Sequence, residues 1–169
     1  MRYQLRHVQR VPARLDDVFA FFSDPENLET LTPPWLGFRI LDASDSPVRL
    51  GTRIRYRLRL NGVPLRWESV ISEYEPGRMF ADEQVRGPYR YWYHRHLFRA
   101  VDGGVEVEDL VEYELPFGVL GRIVHAALVR RQLRQIFAFR QQQMRERFGE
   151  LAQQARAPVV DRSRAAYDG

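Results

Sequence analysis

An alternation of polar and apolar positions begins after Gly51 and holds to about Glu114, interrupted only at turn dipeptides. From Thr52 to Leu60, Arg53, Arg55, Arg57 and Arg59 alternate with Ile54, Tyr56, Leu58 and Leu60. This predicts a strand with its arginines toward water and the other set toward a core. Asn61-Gly62 is a strong hairpin signal, pairing Leu60 with Val63, Leu58 with Leu65 and Tyr56 with Trp67. Pro76-Gly77 predicts a second hairpin, with Glu75 opposite Arg78, Ile71 opposite Asp82 and Ser69 opposite Gln84. Asp102-Gly103 predicts a third, with Arg99 opposite Glu106, Phe98 opposite Val107 and His96 opposite Asp109. Near Gly87-Pro88-Tyr89 an odd-length loop or a bulge is needed to keep the faces in phase. The registers then agree on one inner face.

The period is different on either side of this run. Residues 3–11 alternate roughly, as a half-exposed or edge strand would. Leu15, Val18, Phe19 and Phe22 have helical spacing, and Asp24-Pro25 predicts a second short helix with Asp24 as N-cap. Pro33-Pro34 ends that pair, Leu36 to Leu41 reads as a strand, and a polar loop runs from Asp42 to Pro47. After the breaker Leu115-Pro116-Phe117-Gly118, one long helix is predicted to about Phe148, with Gly149 as its end signal. Its apolar stripe is Ile123, Ala127, Leu128, Ile136, Phe137, Met144 and Phe148. The expectation is an α+β domain over residues 1–149, with a seven-stranded curved antiparallel sheet wrapped around the C-terminal helix. Two short helices follow the first strand, and residues 150–169 read as a flexible tail.

Composition narrows the chemistry. At 169 residues the chain can bury a core but is short for two domains. With no cysteine, disulfides, thiolate metal sites and cysteine nucleophiles are excluded. All 26 basic residues are arginine, which excludes Schiff-base lysines and a lysine-dependent phosphate loop. No Gly-x-Ser-x-Gly elbow and no phosphate-binding glycine loop occurs. The absence of a signal-type stretch or a long apolar run gives the expectation of a soluble cytoplasmic protein. Between Val119 and Phe148, seven arginines (Arg122, Arg130, Arg131, Arg134, Arg140, Arg145, Arg147) stand against Glu146 alone, a net of +6. That helix could touch RNA, a ribosomal surface or an anionic membrane; the plain alternative is a solvated outer face whose arginine stems cover apolar surface. No DNA partner is expected.

Several segments carry a family resemblance: Phe22-Ser23-Asp24-Pro25-Glu26-Asn27-Leu28, Leu31-Thr32-Pro33-Pro34-Trp35, Gly87-Pro88-Tyr89, Trp92-Tyr93-His94-Arg95-His96-Leu97-Phe98 and Leu115-Pro116-Phe117-Gly118-Val119-Leu120-Gly121. Together with the order of elements, they resemble a bacterial branch of the START and Bet v 1-like superfamily, the SRPBCC or polyketide cyclase/dehydrase group. The resemblance implies a helix-grip fold and a small, largely apolar ligand in a cavity between sheet and helix, such as a lipid, quinone, polyketide or aromatic metabolite. Members also include aromatase/cyclases and partner-binding modules, so the fold does not decide the function.

Register arithmetic places polar groups inside the apolar grip. With Arg95 and Arg99 outward, Trp92, His94, His96 and Phe98 face inward, Trp92 opposite Tyr113 and His94 opposite Val111. A three-residue turn at Gly87 also sets His94 opposite Asp82 and Gln84 opposite Trp92. The candidate ligand-binding set is Tyr56, Trp67, Asp82, Gln84, Trp92, His94, His96, Asp109, Tyr113, Phe117 and Phe137. A structural His/Asp network fixing strand register is the competing reading. If there is catalysis, it would be general acid-base work by His94 or His96 with Asp82 or Asp109 on a carbonyl compound. His94, His96 and Asp109 also have spacing that a metal could use, but no metal or other cofactor is expected. His7 and His125 read as surface or helix-packing residues. A monomer or homodimer is expected.

Overall fold

In the computed structural model of the chain, the described residues are 1–60, 62–116, 118, 128–151 and 156–162. Strand β1 (Arg2–Val11) leads into α1 (Leu15–Ser23), a single-turn α2 (Asn27–Thr30) and a 3-10 turn at Pro34–Leu36. Strands β2 (Arg39–Ala43), β3 (Arg53–Leu60), β4 (Val63–Glu75), β5 (Met79–Arg86), β6 (Tyr91–Val101) and β7 (Gly104–Glu114) follow. The long helix α3 (Arg130–Phe148) and a last strand β8 (Arg156–Arg162) complete the described chain. One antiparallel sheet takes the order β2-β3-β4-β5-β6-β7-β1-β8.

Eight strands stand where seven are predicted. The extra one lies in the segment read as a tail, and pairs with β1, Leu5 opposite Val160. The buried Val160 packs in one cluster with Leu5, Tyr113 and Phe137, and this contact gives the short segment a reason to stay on the sheet. Strand β1 is therefore interior, not an edge. Residues 163–169 lie outside the described residues.

The hairpin registers follow the turn dipeptides closely. Tyr56 pairs with Trp67 and Leu58 with Leu65; His96 pairs with Asp109 and Trp92 with Tyr113; Asp82 pairs with His94. Asn61 itself lies outside the described residues. The Pro76-Gly77 hairpin departs from expectation at its tip, where Glu75 pairs with Met79 rather than Arg78, and Tyr74 with Phe80. A register shift between Ile71 and Glu73 then restores Ile71 opposite Asp82 and Ser69 opposite Gln84. The loop is one residue longer than a two-residue turn, and the bulge at Ser72 takes up the extra residue.

The first helical region is shorter than its pattern suggests. Asp24 Oδ1 accepts the Glu26 N–H at 3.1 Å, the bond expected of an N-cap before Pro25, but the regular helix α2 begins only at Asn27. The predicted strand over Leu36 to Leu41 is split, because Pro34 starts a 3-10 turn that Gly37 ends at φ 52, a left-handed conformation that suits glycine.

On α3, Leu133, Phe137, Arg140 and Met144 are buried, a spacing of four, three and four residues that keeps them on one stripe. Burial of each apolar member contributes about 1.5–3 kcal/mol. Leu128, predicted in the stripe, is exposed, and Ile123, Ala127 and His125 lie outside the described residues. The core has a solid end and a hollow one. Phe19, Phe80, Phe98 and Met144 pack at the first, and Phe38, Leu58 and Trp67 flank the second.

A polar-walled cavity under the helix

Strands β3 to β6, helix α3 and the segment from Phe22 to Phe38 line a cavity of about 170 Å³. Apolar residues including Leu58, Trp67, Phe80, Trp92, Leu133 and Phe137 form most of its lining. One side is polar and is built from Tyr56, Ser69, Asp82, His94, His96 and Arg140. These six converge because the hairpins place inward positions of β3 to β6 side by side, and the stripe of α3 lays Arg140 over them.

Behind this wall Asp109, 1% exposed, organises the cluster. Its Oδ1 accepts from His94 Nε2 at 3.0 Å, His96 Nδ1 at 2.9 Å and Arg140 Nη1 at 3.1 Å. Its Oδ2 lies 3.5 Å from His7 Nδ1. In front of the histidines, Asp82 Oδ2 lies 3.6 Å from His94 Nδ1 and 3.5 Å from His96 Nε2. Ser69 Oγ accepts the Trp67 indole N–H at 3.0 Å and sits 3.4 Å from the Tyr56 hydroxyl.

The electrostatics follow from burial opposed by partners. Burial alone would raise the Asp109 carboxyl, but Arg140 and the three histidines hold it well below the usual range. Asp82 is likewise held low, its burial outweighed by His96, His94 and Arg140. Burial, helped by the neighbouring His96, pushes His94 down to about 4. For His96, burial is outweighed by the two aspartates, and its affinity for a proton rises. Burial and the charge of Asp82 push the Tyr56 phenol up, so it remains a hydrogen-bond donor.

Of the predicted site residues, Tyr56, Trp67, Asp82, Trp92, His94, His96 and Phe137 meet at the cavity. Asp109 stands one layer behind. Tyr113 is fully buried against Tyr3, with ring centroids 5.7 Å apart, as part of the core. Gln84 is engaged elsewhere: its side chain donates to the Tyr89 carbonyl at 2.7 Å and accepts the Tyr89 N–H at 3.2 Å, closing the turn after β5. The predicted pairing of Gln84 with Trp92 does not form, because the β5–β6 ladder ends at Glu83 and Tyr93. Phe117 lies outside the described residues.

Arg140 and His7 are the site residues that the sequence reading missed. Arg140 reads as one of a run of outward arginines, yet helical phase from Phe137 and Met144 places it inside. Arg130, Arg131, Arg134, Arg145 and Arg147 do face outward. His7 is buried opposite Asp109, with Phe137 packed at 5.8 Å, so its helix-packing reading holds and its surface reading does not.

A curved antiparallel sheet gripping a long helix over a lined cavity defines a helix-grip protein. The chain belongs to the family described as polyketide cyclase / dehydrase and lipid transport, which matches residues 11–144. A comparison with curated proteins returns no match. Among solved structures, the ZhuI aromatase/cyclase from Streptomyces sp. R1128 is similar at 16% identity and a TM-score of 0.64, covering 86% of this chain and 96% of that one. A START superfamily protein from Mycobacterium smegmatis is similar at 12% identity and a TM-score of 0.64, covering 85% and 98%. A point mutant of norcoclaurine synthase from Thalictrum flavum is similar at 13% identity and a TM-score of 0.62, covering 86% and 96%. At these identities the likeness establishes the fold. No helix among the described residues is long and apolar enough to cross a membrane.

Proposed function

We propose that this protein binds a small, largely apolar ligand in the cavity, with a carbonyl or other polar end of the ligand directed at Asp82, His94, His96 and Arg140. The observation that carries the reading is the asymmetric wall: aliphatic and aromatic over most of its surface, with a cluster of polar groups at Asp82, His94, His96 and Arg140, around a cavity of about 170 Å³. Drug-sized ligands occupy pockets of roughly 300–1,000 Å³, whereas a cavity of about 150 Å³ takes benzene. A body of about one aromatic ring therefore fits the cavity itself, and a larger polyketide, quinone or lipid would extend beyond it. A thermal-shift screen of ring compounds with and without a carbonyl, combined with native mass spectrometry of protein from cells, tests the reading. Stabilisation by carbonyl-bearing compounds supports it. An inert response across the screen with no co-purifying mass contradicts it.

A second reading is general acid-base catalysis on such a ligand. The observation favouring it is the divergence of two adjacent imidazoles, His94 pushed down to about 4 and His96 raised. Groups driven apart in this way can serve as base and acid in one site. Turnover of a cyclisable or dehydratable carbonyl substrate, abolished in His94→Ala and His96→Ala while the fold persists, would support it. Turnover that is unchanged in both variants would remove it.

A further inference from the structure

The hydrogen bonds behind the wall determine what stands in front of it. Asp109 is an ionised carboxylate and can only accept, so both imidazoles must donate to its Oδ1, His94 through Nε2 at 3.0 Å and His96 through Nδ1 at 2.9 Å. The opposite nitrogens, His94 Nδ1 and His96 Nε2, are then lone pairs in the neutral rings. They face Asp82 Oδ2 at 3.6 and 3.5 Å. One ligand-type atom from each of Asp82, His94 and His96 lies within 4.8 Å of the other two. Three acceptors so arranged repel one another unless a positive species lies among them.

The two separations from Asp82 bear on what that species is. A proton on His96 would draw Nε2 and the Asp82 carboxylate to the about 2.7–2.9 Å of a charge-assisted hydrogen bond, and would leave His94 Nδ1 unmatched. A tetrahedral cation with bonds of about 2.0–2.1 Å holds its ligand atoms about 3.3–3.4 Å apart. The separations of 3.5 and 3.6 Å fall close to the second figure. The outer layer also has the form that metal-bound histidines use, since each ring donates its remote N–H to a carboxylate that fixes tautomer and orientation. Here one carboxylate serves both rings, with Arg140 Nη1 holding the same oxygen at 3.1 Å.

We propose that Asp82, His94 and His96 bind a divalent first-row cation of the Zn²⁺ or Co²⁺ type, with a remaining coordination position open to the cavity. Two imidazoles and one carboxylate suit such ions better than Mg²⁺ or Ca²⁺, which prefer all-oxygen sites. Charge sets the kind of fourth ligand. Asp82 and Asp109 against Arg140 leave the cluster at −1 with neutral histidines, and a divalent cation takes it to +1. An anionic oxygen, such as hydroxide, carboxylate or enolate, neutralises the remainder. The site goes beyond the ligand-binding reading and does not depend on it, because the metal alone is the probe.

The test uses tag-free full-length protein, stripped with chelator and titrated with Co²⁺, followed by visible absorption and by melting temperature with added Zn²⁺. The expected result is saturable binding of one Co²⁺ with the d–d bands of a four- or five-coordinate N/O site, and a rise in melting temperature with Zn²⁺. Asp109→Asn lowers Co²⁺ affinity about 10- to 100-fold, and loss of a ligand in Asp82→Asn or His96→Ala lowers it further. Asp82 borders the cavity, so Asp82→Asn provides a fold-preserving variant, verified by circular dichroism. The proposal is overturned if the wild-type protein shows neither Co²⁺ bands nor a Zn²⁺-dependent shift. It is equally overturned if both persist at full strength in Asp82→Asn, which would place the metal elsewhere.

Discussion

Glu106 and Asp109 lie three residues apart on β7, and each gathers two or more nitrogen donors, but they face opposite sides of the sheet. Glu106 accepts from Arg10 Nε at 2.8 Å and from Arg99; its own side chain is 9% exposed, but those of its partners are 31% and 71% exposed. Asp109 is 1% exposed and is held by His94, His96 and Arg140. On the outer face, water can replace a lost partner. On the inner face nothing can, so the same carboxylate chemistry has very different consequences. The outer ladder of arginines and glutamates faces solvent, while the inner cluster borders the cavity.

The largest effect is expected from removing the inner carboxylate. Asp109→Ala should destabilise the protein by about 3–5 kcal/mol, because Arg140 is left buried without its partner. Urea unfolding measures this, and a loss below about 1 kcal/mol would mean that water reaches the cluster after all. Next comes Phe137→Ala, which removes the ring packed 5.8 Å from both His7 and His94. A loss of about 3 kcal/mol is expected from the same titration, and a near-zero value would show that α3 does not keep this end dry. A much smaller coupling is expected outside. A double-mutant cycle on Arg6 and Glu108, an exposed pair, should give about 0.2–1 kcal/mol.

The smallest effect is a pH dependence on the outer face. Burial would raise Glu106, but Arg10 and Arg99 outweigh it and leave its pKa lowered in the folded protein. Its stabilising contribution is therefore complete above the unfolded carboxylate value of about 4.3 and is lost as pH falls through the lower folded value. The urea midpoint of wild type should fall more steeply than that of Glu106→Gln as pH drops from about 5 to about 3. Parallel curves would show that Glu106 does not gain from its arginines.

Much of this arrangement was legible from turn chemistry. Asp102-Gly103 set His96 opposite Asp109, and the alternation around Arg95 and Arg99 sent the histidines inward. At Pro76-Gly77 the loop length was misread, yet the Ser72 bulge restored the register further along, so Ile71 still meets Asp82. Gln84 was misplaced because a period of two gives the face of a residue but not whether a nearby turn claims its amide. Strand β8 was missed because its pairing depends on tertiary contact between Val160 and the Leu5 cluster, which a short segment with two valines between charged ends does not advertise. Arg140 was legible and overlooked. The stripe through Phe137 and Met144 requires residue 140 to face inward, and composition obscured what helical phase stated.

The central claim is that the polar-walled cavity is the binding site. The chain has three tryptophans: Trp67 and Trp92 line the cavity, while Trp35 is 56% exposed. The Trp67 indole N–H is hydrogen-bonded to Ser69 within the polar wall. Titrating an aromatic ketone into ¹⁵N-labelled protein and following the indole resonances is the most direct measurement. Shifts at Trp67 and Trp92 with Trp35 unmoved, larger for acetophenone than for ethylbenzene, are the expected result. Shifts confined to Trp35, or none at any ligand concentration, would contradict it.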